Sequence, residues 1–114
     1  MKQCNVCKAD VAAFEKLGDY YERMFERHHA RFKLGDYETL NVAEYRCPKC
    51  GASDRDRLYV LFYERTQAEN AGIAPRSILD IAPAVSLSHY LRHAAKVLYR
   101  SADSLANRRP PPRK

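Results

Sequence analysis

The sequence predicts a small α/β protein, α+β taken as a whole, built in sequence order from three parts. These are a four-cysteine, ribbon-like module with a helical insertion (residues 1–52), a β-α-β unit (residues 53–103) and a basic, proline-rich tail (residues 104–114). Three observations predict this. The only four cysteines fall in two pairs, Cys4-Asn-Val-Cys7 and Cys47-Pro-Lys-Cys50. The spacer between them carries apolar residues at helical steps. After Ser53 a helix pattern leads into two short apolar runs that flank a small-residue turn and a second helix pattern. With 114 residues, 46% apolar and 30% charged, the chain is the size of one compact domain or of a small module joined to a second lobe. It is too short for a multidomain enzyme or a complete set of βα units.

Each cysteine pair can present two thiolates to one metal ion from a tight turn. Two such knuckles supply the four sulfurs that zinc takes tetrahedrally, at Cys4, Cys7, Cys47 and Cys50. Gly51 suits the turn that closes the second knuckle, where a positive φ is often needed. The N-terminus, Met-Lys-Gln-Cys-Asn, has no apolar core of a signal peptide, which points to the cytoplasm and away from disulfides. A redox Cys-x-x-Cys needs one pair next to a βαβ unit, so structural zinc leads and redox or iron–sulfur chemistry is the alternative. With four protein ligands such an ion has no open position and serves as a staple.

The spacer, Lys8 to Arg46, exceeds the 15–20 residues of a compact ribbon and must hold structure of its own. Asp19 is expected to cap a helix reaching about Phe32, with Tyr21, Met24, Phe25 and Phe32 on its apolar stripe. Lys16-Leu-Gly-Asp-Tyr20 and Lys33-Leu-Gly-Asp-Tyr37 echo one another, which reads as two similar turns rather than as a repeat protein. The adjacent His28 and His29 point in different directions on a helix and read as surface residues.

Ser53-Asp-Arg-Asp56 has the cap and acidic first turn of a helix start. Leu58, Leu61, Phe62 and Arg65 are expected to face inward, with Gly72 as the stop and Pro75 barring continuation. Ser77-Ile-Leu-Asp-Ile-Ala82 reads as a buried strand ending in small residues and Pro83. Ser86 is expected to cap a helix through His93, with Leu87, Tyr90, Leu91 and Ala94 on one side. Lys96 to Asp103 reads as a second strand with a carboxylate at its end. Together these make a β-α-β unit, and nucleotide-type ligands bind where such strands end.

Cys47-Pro-Lys-Cys-Gly-Ala-Ser-Asp-Arg-Asp-Arg-Leu58, followed by a helix and then by Ile78-Leu-Asp-Ile-Ala-Pro83 and Leu98-Tyr-Arg-Ser-Ala-Asp103, resembles the N-terminal part of a family of bacterial class I SAM-dependent methyltransferases. In that family a cysteine-rich zinc segment runs directly into a Rossmann-like domain. The likeness covers about half the chain. It implies a partial Rossmann-like unit in which Asp80 positions the methionine portion of S-adenosylmethionine (SAM). It also implies that Ala82 and Ala84 allow close backbone approach and that Asp103 accepts hydrogen bonds from the ribose hydroxyls. The family carries an acidic residue soon after the Ala-Pro turn, where this chain has Ala84-Val-Ser86. It also continues through further strands and helices, so the resemblance implies a partial fold, with a second chain as one way to complete it. The methyl acceptor implied is a small molecule or a glycan.

The remaining signals are weaker. Formal charge is +6, but Arg108, Arg109, Arg113 and Lys114 carry four of the 20 basic charges, leaving residues 1–107 with 16 basic against 14 acidic groups. The tail, which reads as disordered or polyproline II, can touch nucleic acid or an acidic surface. A zinc-ribbon binding module for nucleic acid or a protein partner is therefore the alternative function. Arg55 and Arg57 can meet a phosphate, an acidic acceptor, or only the solvated side of their helix. His89 and His93 share a helical face without a third ligand. The apolar runs Val11–Phe14 and Tyr59–Tyr63 are far below the roughly 20 residues that span a bilayer.

Overall fold

The computed structural model describes residues 1–70, 72 and 75–103. Among the described residues it is a small α+β fold with three α-helices and two small sheets. The expected tail, residues 104–114, lies outside the described residues.

Strands β1 (Lys2–Gln3) and β2 (Asp10–Val11) pair antiparallel across the first knuckle. The chain then meets itself again, where Glu15 and Arg46 form an antiparallel bridge and the Leu17 N–H bonds the Val42 carbonyl at 2.8 Å. These contacts close the long spacer, so that its helical insertion projects from a ribbon-like base. Helix α1 (Asp19–Arg27) is shorter than the sequence suggests and starts from Gly18 rather than from an Asp19 cap. It ends where His29 turns left-handed, at φ 51°. No residue of α1 is buried, and Phe32 lies beyond it. The second copy of the echoed motif makes a short 3₁₀ turn, Leu34–Asp36, held by the Lys33 N–H on the Asp36 carboxylate at 3.0 Å.

Helix α2 (Asp54–Glu69) opens on the expected cap. The Asp56 N–H donates to Ser53 Oγ at 3.2 Å, and the Ser53 N–H to Asp56 Oδ2 at 3.0 Å. Each side chain thereby satisfies the other residue's backbone N–H. Its inward face differs from expectation. Asp56, Val60 and Tyr63 are buried, whereas Leu58, Leu61 and Phe62 are exposed. The helix stops at Glu69, before Gly72.

Strands β3 (Ser77–Ile81) and β4 (Leu98–Ala102) pair in parallel, joined by α3 (Val85–His93). The β-α-β order is as the sequence predicts, with Leu87, Tyr90 and Leu91 buried. Ala94 is exposed and the neighbouring Ala95 packs on the core instead. Ala84, not Ser86, occupies the cap position. Ser86 lies inside the first turn and donates its hydroxyl to the Cys50 carbonyl. One core links the parts, since Cys4, Val6, Val11, Cys47 and Ala52 cluster with Val60, Tyr63, Leu87, Tyr90 and Leu91. Among the described residues no helix is long and apolar enough to cross a membrane.

Candidate functional site

The two knuckles fold alike. In the first, the Lys8 N–H bonds the Cys4 carbonyl at 2.8 Å and the Cys4 N–H bonds the Ala9 carbonyl at 3.0 Å. In the second, the Gly51 N–H bonds the Cys47 carbonyl at 2.9 Å and the Cys47 N–H bonds the Ala52 carbonyl, also at 2.9 Å. Gly51 takes φ 78° as expected, and Lys8 takes φ 64° at the equivalent place, where the sequence offered no glycine to reveal it.

This places all four thiols together, within 4.8 Å of one another. Cys4 Sγ lies 3.8 Å from Cys50 Sγ, and Cys7 Sγ 3.9 Å from Cys47 Sγ. A tetrahedron with metal–sulfur bonds of about 2.3 Å has edges of about 3.8 Å, so the cluster fits one metal ion. The N–H groups of Lys49 and Ala52 point at Cys47 Sγ and Cys50 Sγ, each at 3.4 Å. Burial opposes ionisation at Cys47, but N–H donors from Cys50 and Lys49 and the neighbouring thiols outweigh it and bring its pKa to about 7. Burial pushes Cys4 up, and Cys50 up to about 12. Cys47 is thus the readiest to ionise, and a cation would favour ionisation of Cys4 and Cys50 against their burial.

A second feature adjoins this cluster. An open cleft of about 910 Å³ lies between the spacer, the start of α2 and the end of β3. Three of the four residues that the resemblance marks for a cofactor, Asp80, Ala82 and Ala84, line it. Ile81 and Ala102 are paired in register, so β3 and β4 end side by side, with Asp103 just beyond β4. Asp103 is exposed and stands outside the cleft lining. Ala82 adopts φ 53°, a left-handed conformation that costs a residue with a Cβ about 1–2 kcal/mol. Its N–H bonds the Ala102 carbonyl at 2.7 Å, which holds the turn against β4.

Asp80 is positioned by a relay that the sequence reading missed. Tyr99 OH donates to Asp80 Oδ2 at 2.8 Å, Ser88 Oγ lies 3.0 Å from the same phenol, and Arg92 Nε donates to Ser88 Oγ at 3.2 Å. Burial and the bond to Asp80 push the Tyr99 phenol up, against a lowering by Ser88. Strand alternation carried the signal, because Tyr99 is two residues from Ser101, the register partner of Asp80, and so shares its face. Also missed was an aromatic wall of Tyr21, Phe25, Tyr37, Tyr45 and Tyr59. Burial, then Asp54 and Tyr21, push the Tyr45 phenol up.

The two arginines separate. Arg57 is a clamp: its Nη1 donates to the Tyr45 and Ala52 carbonyls at 3.0 and 3.3 Å, and its Nη2 to the Glu44 carbonyl at 2.5 Å. Its guanidinium lies 4.0 Å above the Phe14 ring. Arg55 is exposed and lines the cleft. His28 and His29 are exposed. The His89 and His93 rings lie 4.5 Å apart, tilted at 47°, and among the described residues only the four cysteines form a cluster able to hold a metal.

Compared with known protein families, curated proteins and solved structures, the chain gives no match.

Proposed function

We propose that this chain is a zinc-stapled, SAM-dependent methyltransferase-like protein carrying the start of a Rossmann-like cofactor site. The observation that carries the reading is the cleft at the carboxyl end of parallel strand β3, where Asp80 precedes a left-handed Ala82. That is where a βα turn must let backbone approach a nucleotide-type ligand. Zinc is the ion whose ligand set and bond length suit the four sulfurs, and with all four positions filled it folds rather than catalyses. Working in the cytoplasm would keep those thiols from pairing.

SAM, when bound, supplies an electrophilic methyl group on a sulfonium. The chain's own contribution is positioning, the main lever for an in-line displacement. Asp80 offers the oxygen that Tyr99 leaves free, Ala82 and Ala84 keep side-chain bulk out of the turn, and Asp103 meets the ribose from the neighbouring strand end. The aromatic wall is the place for the acceptor, a small molecule or a glycan. A second chain completing the fold would cover Leu79, Ile81 and Leu98, which are exposed on one sheet face. The alternative, a zinc-ribbon module for nucleic acid or protein, rests on the basic tail, residues 104–114, which lies outside the described residues, and on the Tyr- and Arg-rich surface.

The test is ligand binding by the zinc-loaded chain. We expect millimolar SAM or S-adenosylhomocysteine to raise the melting temperature by a few degrees, with affinity in the high micromolar range, while ATP does not. Calorimetry without heat at millimolar S-adenosylhomocysteine would reject the cofactor site.

A further inference from the structure

Building on that cofactor reading, we infer that Arg55 and Asp80 form a two-ended clamp for the α-amino-acid group of the ligand in the cleft. Arg55 receives the carboxylate and Asp80 the ammonium. The two residues line one cleft from different elements, the first turn of α2 and the end of β3.

The cleft's other charged groups are already engaged. Asp54 is engaged, because Oδ2 accepts the Asn41 N–H at 2.6 Å and Oδ1 the Arg55 N–H at 2.7 Å. Asp56 is buried in the α2 cap. Arg46 lies 3.7 Å from Glu15. Asp80 has given one oxygen to Tyr99, and its other oxygen has no hydrogen bond among the described residues. The Arg55 guanidinium has neither an ion pair nor a hydrogen bond among the described residues. Arg57, two positions along the helix, is held by three carbonyls and is not available.

The cleft therefore presents one uncommitted cation and one half-committed anion. A ligand with a single anionic group is repelled by Asp54, Asp56 and Asp80, whereas a zwitterion satisfies both ends. An α-carboxylate suits the planar fork of an arginine, which can bind it through two parallel hydrogen bonds. The positive end of the α2 dipole, beside Arg55, favours the same orientation. This assigns the cleft the amino-acid end of the ligand and leaves the nucleoside end for the side of Asp103.

The test compares two probes by calorimetry on the zinc-loaded chain: S-adenosylhomocysteine, and methylthioadenosine, which keeps the nucleoside and thioether but lacks the amino-acid group. Arg55→Gln should weaken S-adenosylhomocysteine about 10-fold and leave methylthioadenosine unchanged, with Arg55→Lys in between because it keeps the charge without the fork. Asp80→Asn should likewise weaken only the probe with the ammonium. Unchanged S-adenosylhomocysteine binding in Arg55→Gln overturns the clamp and leaves the cofactor reading standing, as does equal weakening of both probes. No binding of either probe to the unmutated chain overturns both.

Discussion

Arg57 offers a sharp test, because the sequence left it either a ligand-binding residue or a structural one. Replacing it with alanine strips hydrogen bonds from the carbonyls of Glu44, Tyr45 and Ala52 and removes the cation over Phe14. The Ala52 carbonyl keeps the Cys47 N–H, so two acceptors are orphaned; these sites are partly buried, and each costs about 1 kcal/mol, the low end of the range for an unsatisfied group. The lost ring contact adds about 0.5–1 kcal/mol. The sum, about 2.5–3 kcal/mol, is a large share of the roughly 5–15 kcal/mol that stabilises a small domain. Arg57→Lys should lose about half as much, since one ammonium cannot reach three diverging carbonyls and does not stack as a guanidinium does. Urea unfolding of the zinc-loaded protein, followed by far-ultraviolet circular dichroism, measures both. An Arg57→Ala protein within 1 kcal/mol of the parent refutes the clamp.

Two further outcomes are expected. Protein purified without added metal should hold about one equivalent of zinc; chelation or Cys47→Ser should unfold the knuckles, since such sites contribute on the order of 10 kcal/mol, and a metal-free protein with native circular dichroism would refute the staple. Glu64 accepts Lys8 Nζ at 2.5 Å and Tyr90 OH at 2.9 Å, and chiefly the Lys8 hydrogen bond holds its carboxyl below the ordinary 4.5. Its contribution is therefore complete above the unfolded pKa and lost as pH falls through the folded one. Glu64→Gln should cost about 0.5 kcal/mol at neutral pH, a small figure because the pair is partly exposed, and should flatten the acid limb of the difference curve. Parallel stability curves for the two proteins between about pH 6 and 3 would remove Glu64 from the account.

What was legible in the sequence is what local chemistry determines alone. The cysteine spacing marked the four-sulfur cluster, Ser53 and Asp56 announced their reciprocal cap, and two short apolar runs gave β3 and β4. The inward face of α2 was not legible, because Leu58-Tyr-Val-Leu-Phe-Tyr63 is apolar on every side and its periodicity selects no face. Tertiary packing chose Val60 and Tyr63, with the Lys96 N–H on Tyr63 OH at 2.9 Å fixing that side. Ser86 looked like a cap because it is a serine before an apolar run. Its hydroxyl instead serves a carbonyl 36 positions earlier in sequence, a partner that no local pattern can name. The cleft was only half legible: its Asp80-Ile-Ala82 floor stood in one motif, whereas its aromatic wall is gathered from separate segments.

The four-cysteine cluster and the cleft are one mechanical object. Gly51 and Ser53, which flank the second knuckle, line the cleft, and so do Ala84 and Leu87 at the start of α3. Ser86 ties that first turn of α3 to the carbonyl of Cys50, itself one of the four clustered cysteines. From the first knuckle, Asn5 Nδ2 donates to the Arg57 carbonyl at 2.8 Å, and Lys8 reaches Glu64 and thereby Tyr90. Each knuckle thus grips a helix that bounds or supports the cleft. The clamp of Arg57 fixes the start of α2 to residues 44–52, which sets where Arg55 stands on the adjacent face of the same turn. Disrupting the cluster would release the Cys50 segment and both helix starts together, so the separation between Arg55 and Asp80 depends on four sulfurs that stand outside the cleft lining.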